Sequence, residues 1–228
     1  IDLIFPHHEN EIAQSEGATG KPFARFWVHV EHLLVDDQKM SKSLGNTYTL
    51  PDVIAKGFRP SAVRYLLLSS HYRKQLNFTW AGLDQAEESL RRLTDCLDRV
   101  ETVTAAGGHP EIAERVDEAR RVFSDAMQDD LNTAAALAAL FDLVRVLNSA
   151  IDAGTLGRDD LPAIRTAFDG FDRVLGVLSL RREEDARPPV PVEEIDRLIE
   201  ERQAARRRRD FAAADDIRGH LASRGVLL

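Results

Sequence analysis

Lys39-Met40-Ser41-Lys42-Ser43, followed by Leu44-Gly45-Asn46, is the stretch from which the fold of this chain can be read. An apolar run at residues 26–35 leads into it and is expected to form a buried strand, with broken rather than strict alternation. Asp36-Asp37 ends that run, and Gly45-Asn46 marks a turn on the far side. Two lysines three apart on a loop above a strand end suit the oxygens of a polyphosphate, because an ammonium is a compact cation with three donors. Taken alone, a Lys/Ser loop is described equally well as a solvated surface turn.

A second stretch carries more information. Phe5-Pro6-His7-His8-Glu9-Asn10-Glu11-Ile12-Ala13-Gln14-Ser15-Glu16 follows a short expected strand at residues 1–5. Pro6 favours a helix start, so residues 7–15 are expected to be helical and residues 17–21 to turn. His7 and Glu11, four apart, share one face of that helix, and a His and a carboxylate so placed can both reach one Zn²⁺. The ordinary alternative is a polar first turn, with Glu9 and Glu11 near the positive end of the helix. His8 is expected to point away.

These two strings carry a family resemblance. Residues 39–43 form the KMSKS signature of class I aminoacyl-tRNA synthetases, and residues 5–16 resemble the matching segment of cysteinyl-tRNA synthetases. The spacing between them also fits, and the resemblance covers essentially the whole chain. It implies an α/β plus all-α protein: the C-terminal part of a Rossmann-like catalytic domain, then a helical anticodon-binding bundle and a small C-terminal module. It also implies a preceding half that carries the HIGH motif, the first nucleotide-binding strands and two zinc-binding cysteines. The chain therefore reads as an incomplete enzyme, inactive alone.

The implied activity is that of a cysteine–tRNA ligase of the cytoplasm. Cysteine is activated by ATP, with Mg²⁺, to cysteinyl-adenylate, and the acyl group passes to tRNA(Cys). Lys39 and Lys42 are the expected catalytic residues, with Met40, Ser41 and Ser43 completing the ATP-binding loop. His7 and Glu11 would supply two of four ligands to a zinc ion that holds the sulfur of the substrate. Serine offers no thiolate, so discrimination on the order of 10⁴ needs no editing. Two rivals remain: a cysteine ligase of mycothiol biosynthesis, and a non-catalytic tRNA-binding module.

Composition is compatible with all of these. The 228 residues allow one to three domains, and 43% hydrophobic with 30% charged residues is ordinary for a globular protein. A net charge of −8 argues against indiscriminate nucleic-acid binding, leaving room only for a local basic patch. The single cysteine, Cys96, excludes an internal disulfide framework and has no ligand partner at helical spacing, so it is expected to be a packing residue. No apolar run approaches the ~20 residues of a membrane span.

The organisation expected along the chain is a catalytic part at residues 1–57, a connector at 58–80 and a DALR-type bundle at 81–180. A charged, Pro-rich linker at 181–191 and the terminal module at 192–228 follow. Helices are expected from Leu50 to Gly57, from Pro60 with a stripe of Val63, Leu66 and Leu67, and from Thr79 through four bundle helices, the last over 161–180. The connector carries His71-Tyr72-Arg73, polar and aromatic enough to touch RNA but equally suited to packing. In the module, Arg202, Arg206 and Arg209 line one helix face, which by itself is most simply solvated. Phe211 beside it offers a stacking platform for a splayed base. Asp215, one turn on, can accept from a base amino group. Arg206, Phe211 and Asp215 are the expected tRNA-binding residues.

Overall fold

The computed structural model describes residues 2–186, 192–208 and 210–223. The Pro-rich end of the expected linker, Arg209 and the expected extended end at 225–228 lie outside them.

The loop is presented by a hairpin. Asp36 and Asp37 both take left-handed backbone (φ 49° and 61°) and fold β1 (Leu33–Val35) back onto β2 (Gln38–Lys39). A two-residue turn of this kind needs positive φ at both central positions, which Asp tolerates better than most residues. On its other edge β1 pairs in parallel with β3 (Leu76–Phe78), giving the order β2-β1-β3. The expected strand over 26–35 is thus only three residues long. Residues 26–32 have no ladder partner among the described residues, and Phe26, Val28 and Val30 are exposed. Among the described residues 2–5 there is no strand either. A π-helical turn, Ile4–His8, leads into α1 (Glu9–Thr19). That helix passes through Gly17 and ends at Gly20 (φ 63°), because a helix tolerates a glycine inside but stops where one turns left-handed.

Helices α2 (Leu50–Ala55) and α3 (Pro60–Leu68) follow the loop. Thr49 and Asp52 form a reciprocal capping box at the start of α2, fixing where the chain leaves the loop. The buried face of α3 is Ser61, Ala62 and Leu66, with Leu67 half exposed, so its apolar stripe is rotated from the expected one.

The bundle consists of α4 (Trp80–Glu101), α5 (Pro110–Gln128), α6 (Thr133–Ala153) and α7 (Leu161–Leu175), with α8 (Leu178–Asp185) after it. Leu83, Leu90, Leu93 and Cys96 of α4 face Leu140, Leu143 and Leu147 of α6 in one continuous core. α6 packs on both α4 and α5, which is why its Ala/Leu surface is apolar on two sides. By length and composition α6 is the one described helix able to cross a membrane, contrary to the expectation that no segment comes near; its apolar side chains serve the bundle core. The expected last helix over 161–180 is two helices. Gly176 (φ 60°) breaks it, and the Asp172 carboxylate accepts from Leu178 N and Ser179 N to restart it. α8 then runs to Asp185, so the first residues of the expected linker are helical. α9 (Val192–Arg207) and α10 (Phe211–Ser223) form an αα-hairpin closed over Ala205, Ala214 and Leu221.

Candidate functional site

Lys39 ends β2, Met40 packs partly into the core, and Ser41 caps a 3-10 turn, Lys42–Leu44. The Ser41 hydroxyl accepts from Ser43 N at 3.2 Å and lies 2.7 Å from the Ser43 hydroxyl. Gly45 (φ 66°) closes the turn. Asn46 then grips both flanks: its Oδ1 accepts from Ser41 N at 2.8 Å, and its Nδ2 donates to Lys39 O at 3.2 Å. Tyr48 anchors the exit edge-on against Trp80, 4.9 Å between centroids, beside Phe78 and Phe58. The loop is therefore held open by its own side chains. Lys39 and Lys42 are exposed, and Lys42 has no ion pair among the described residues. In the sequence Asn46 reads only as half of a Gly-Asn turn. Its signal was a carboxamide, able to donate and accept at once, just past the glycine that ends the loop.

The second cluster lies at the start of α1. His7 Nε2 is 3.3 Å from Glu11 Oε1, as their spacing predicts. His8 does not point away: His7, His8 and Glu11 offer ligand atoms all within 4.8 Å of one another. The reason is the π-helical turn, closed by His8 N donating to Leu3 O at 2.9 Å, which departs from the α-helical step that would have separated the rings. His8 Nδ1 is also 2.9 Å from His29 Nε2, and His29 stacks on Trp27 with planes 6° apart. Desolvation, then the facing His8, lowers the pKa of His29. Two imidazoles and a carboxylate on an open surface have the donor chemistry of zinc, but not the closed four-ligand shell of a structural site.

At the other end of the chain, Arg206 and Phe211 flank the α9–α10 corner, both exposed, Phe211 at 61%. Arg202 is half buried, and Asp215 is exposed and engaged by Arg218 at 3.1 Å. Phe211 is thus not a packing residue of the hairpin. Cys96, by contrast, packs inside the bundle: it is buried on α4, its Sγ lies 3.9 Å from Val144 O of α6, and burial pushes its thiol up to about 11.

Comparison with known proteins gives three family matches along the chain. Residues 1–88 match the class I (C) tRNA synthetase catalytic domain, 122–179 the DALR domain, and 189–228 the cysteinyl-tRNA ligase anticodon binding domain. The cysteine–tRNA ligase of Solibacter usitatus is 48% identical over all of this chain and 48% of its own length. That of Protochlamydia amoebophila is 42% identical over all of this chain and 47% of its own. The chain spans about half the length of the curated relatives it matches. A crystal structure of Agrobacterium radiobacter K84 agnB2 LeuRS, in ternary complex with tRNA and LeuAMS, aligns with TM-score 0.57 at 23% identity over 78% of this chain and 25% of that one. At that identity the likeness is one of fold. A class I catalytic fragment followed by a helical anticodon-type domain is the architecture present.

Proposed function

We propose, from the premise that this chain belongs to the cysteinyl-tRNA synthetase family, that it supplies the pyrophosphate-side loop, part of a metal site and the tRNA-reading end of a cysteine–tRNA ligase. The observation that carries this is the preformed loop, in which Asn46 and Ser41 fix the backbone while Lys42 is left exposed and unpaired among the described residues. In the complete enzyme the cysteine carboxylate attacks the α-phosphate of ATP, and pyrophosphate departs with the adenylate left behind. A hydroxyl of the tRNA terminal ribose then takes the cysteinyl group. Lys42, with Lys39, stabilises charge that grows on the departing phosphates, which Mg²⁺ bound to them would also partly neutralise. Zinc, when bound, would polarise and hold the substrate thiolate; His7 and Glu11 are its proposed ligands here, with His8 beside them.

The division proposed is a catalytic part to residue 57, a connector at 58–80, the bundle to 180 and a terminal reading module from 192, all at work in the cytoplasm. Phe5, Phe26 and Val28, exposed apolar residues of the two stretches that meet at the His8–Trp27 contact, suit burial against the other half of the enzyme. The anticodon-domain match at 189–228 favours tRNA as acceptor over an amino sugar.

The test is cysteine-dependent ATP–pyrophosphate exchange and charging of tRNA(Cys) by the complete protein and by this chain alone. We expect both activities and one zinc per molecule in the complete protein, and neither activity nor stoichiometric zinc in the chain alone. Tight one-to-one zinc in the isolated chain, or charging of an amino sugar in place of tRNA, contradicts the proposal.

The terminal hairpin has its own prediction. Because Phe211 is exposed, Phe211→Ala should leave the melting temperature within about 2 °C, in keeping with surface substitutions. It should weaken tRNA charging by roughly 1–3 kcal/mol, the worth of one stacked base, and leave pyrophosphate exchange intact. Arg206→Ala should behave alike. A sharp fall in melting temperature with undiminished charging would make the hairpin corner structural.

A further inference from the structure

The segment at residues 71–78 touches two parts of the molecule at once. Along one side it holds the hairpin that carries the lysines. Tyr72 O accepts from Glu31 N at 2.8 Å, β3 pairs with β1, and Phe78 O accepts from Asp36 N at 3.1 Å. Asn77 Oδ1 accepts from Asp37 N at 2.9 Å, and Asn77 Nδ2 donates to Asp37 Oδ1 at 2.7 Å. On its other side the segment is gripped by Asp130, at the corner between α5 and α6. Tyr72 donates its hydroxyl to Asp130 Oδ1 at 2.6 Å, and Arg73 donates Nε to Oδ2 at 2.6 Å and Nη2 to Oδ1 at 3.1 Å. His71 Nε2 stands 3.8 Å from the same carboxylate, its ring stacked on Tyr72.

Two features separate this clasp from an ordinary surface ion pair. The corner it holds is strained: Asp130 and Leu131 both have φ 55°, and consecutive non-glycine residues in that region persist only where their surroundings insist on it. The clasp is also exposed, with Arg73 63% and Asp130 45% accessible, and pairs so placed add little to stability. What a forked Arg–carboxylate contact does supply is direction. Arg73 and Tyr72 hold the carboxyl of Asp130 down to about 2, so it remains an anion throughout the neutral range.

We propose that Asp130 is a positioning residue. Through Tyr72 and Arg73 it fixes the bundle against the hairpin of Lys39 and Lys42, so that a tRNA held by the bundle presents its acceptor end in register with the loop. This rests on the reading of the chain as part of a cysteine–tRNA ligase. The test uses the complete protein with Asp130→Asn, which tolerates positive φ but loses the charge, and separately Tyr72→Phe. Three rates are compared: pyrophosphate exchange, charging of full-length tRNA(Cys), and charging of a minihelix with only the acceptor end. The expected result is a fall of about tenfold in kcat/KM for the full tRNA, in the range of ordinary coupling between sites. Exchange and minihelix charging stay within about twofold, and the double variant is no worse than Asp130→Asn. Full-tRNA charging that does not change, or a parallel fall in all three rates, overturns the proposal. Wild-type protein that charges no tRNA overturns the underlying reading instead.

Discussion

Lys42→Ala in the complete enzyme should slow cysteine-dependent pyrophosphate exchange about a hundredfold, since loss of one pre-placed donor to a developing oxyanion costs roughly 3 kcal/mol. The expectation follows from the loop. Asn46 ties Ser41 N to Lys39 O across it, and Ser41 caps the turn that starts at Lys42, so the backbone has no need of the Lys42 side chain to keep its shape. The ammonium is exposed and carries no ion pair among the described residues, so its removal leaves no buried partner unsatisfied. The melting temperature should therefore hold, and so should cysteine affinity, because the proposed metal ligands His7 and Glu11 belong to a separate cluster at the start of α1. Cysteine affinity that collapses while exchange at saturation persists would show that Lys42 acts on the amino acid rather than on the phosphates.

Sequence offers the candidate residues whose chemistry is local. The lysines of the loop, the four-residue spacing of His7 and Glu11, and the Arg206/Phe211 corner are all properties of short stretches; the structure sets His7 3.3 Å from Glu11 and leaves Lys39, Lys42, Arg206 and Phe211 exposed. His8 was misplaced because an α-helical step was assumed for a turn that closes with π-helical geometry. Asp130 carries no local signal of its contacts. Its partners Tyr72 and Arg73 lie 58 and 57 residues away, and nothing in either stretch names the other.

The same division holds for the fold. The capped helices announce themselves through side chains that bond within a few residues, as Thr49 does with Asp52 and Asn132 with Ala135. The apolar run at 26–32 does not: its apolar pattern suggests a buried strand, yet a strand is defined by its ladder, and beyond the single Glu31–Tyr72 hydrogen bond the described residues form none there. Gly17 and Gly176 each reverse the expectation: the helix runs through Gly17 to Gly20, where a turn is expected, and breaks at Gly176, where a helix is expected to continue. Only Gly176 has Asp172 poised to cap a new helix beyond it.

The largest stability effect is expected at a residue the sequence assigned to a linker. Arg181→Met should destabilise the protein by roughly 3–5 kcal/mol, the usual result of removing one member of a buried charge network. Arg181 is only 8% exposed. Its Nη1 lies 2.7 Å from Glu87 Oε2 on α4 and 3.9 Å from Glu184 Oε2, and donates to the Ser61 hydroxyl at 3.4 Å. Glu184 in turn accepts from Ser61 N at 2.8 Å and Ser61 Oγ at 2.6 Å, so the first turn of α3 receives a carboxylate where its N–H groups have no helical partner. Glu87 accepts from Arg59 N, and Arg59 pairs with Asp185. Three helices, α3, α4 and α8, therefore meet on one guanidinium, and methionine would fill its volume while leaving two carboxylates facing each other without a cation. For a protein of this size the loss corresponds to a drop of about 6–20 °C in melting temperature. Arg181→Lys keeps the charge but not the fork and should fall between. Thermal melting decides it: a methionine variant as stable as wild type would mean that solvent, rather than Arg181, balances Glu87 and Glu184.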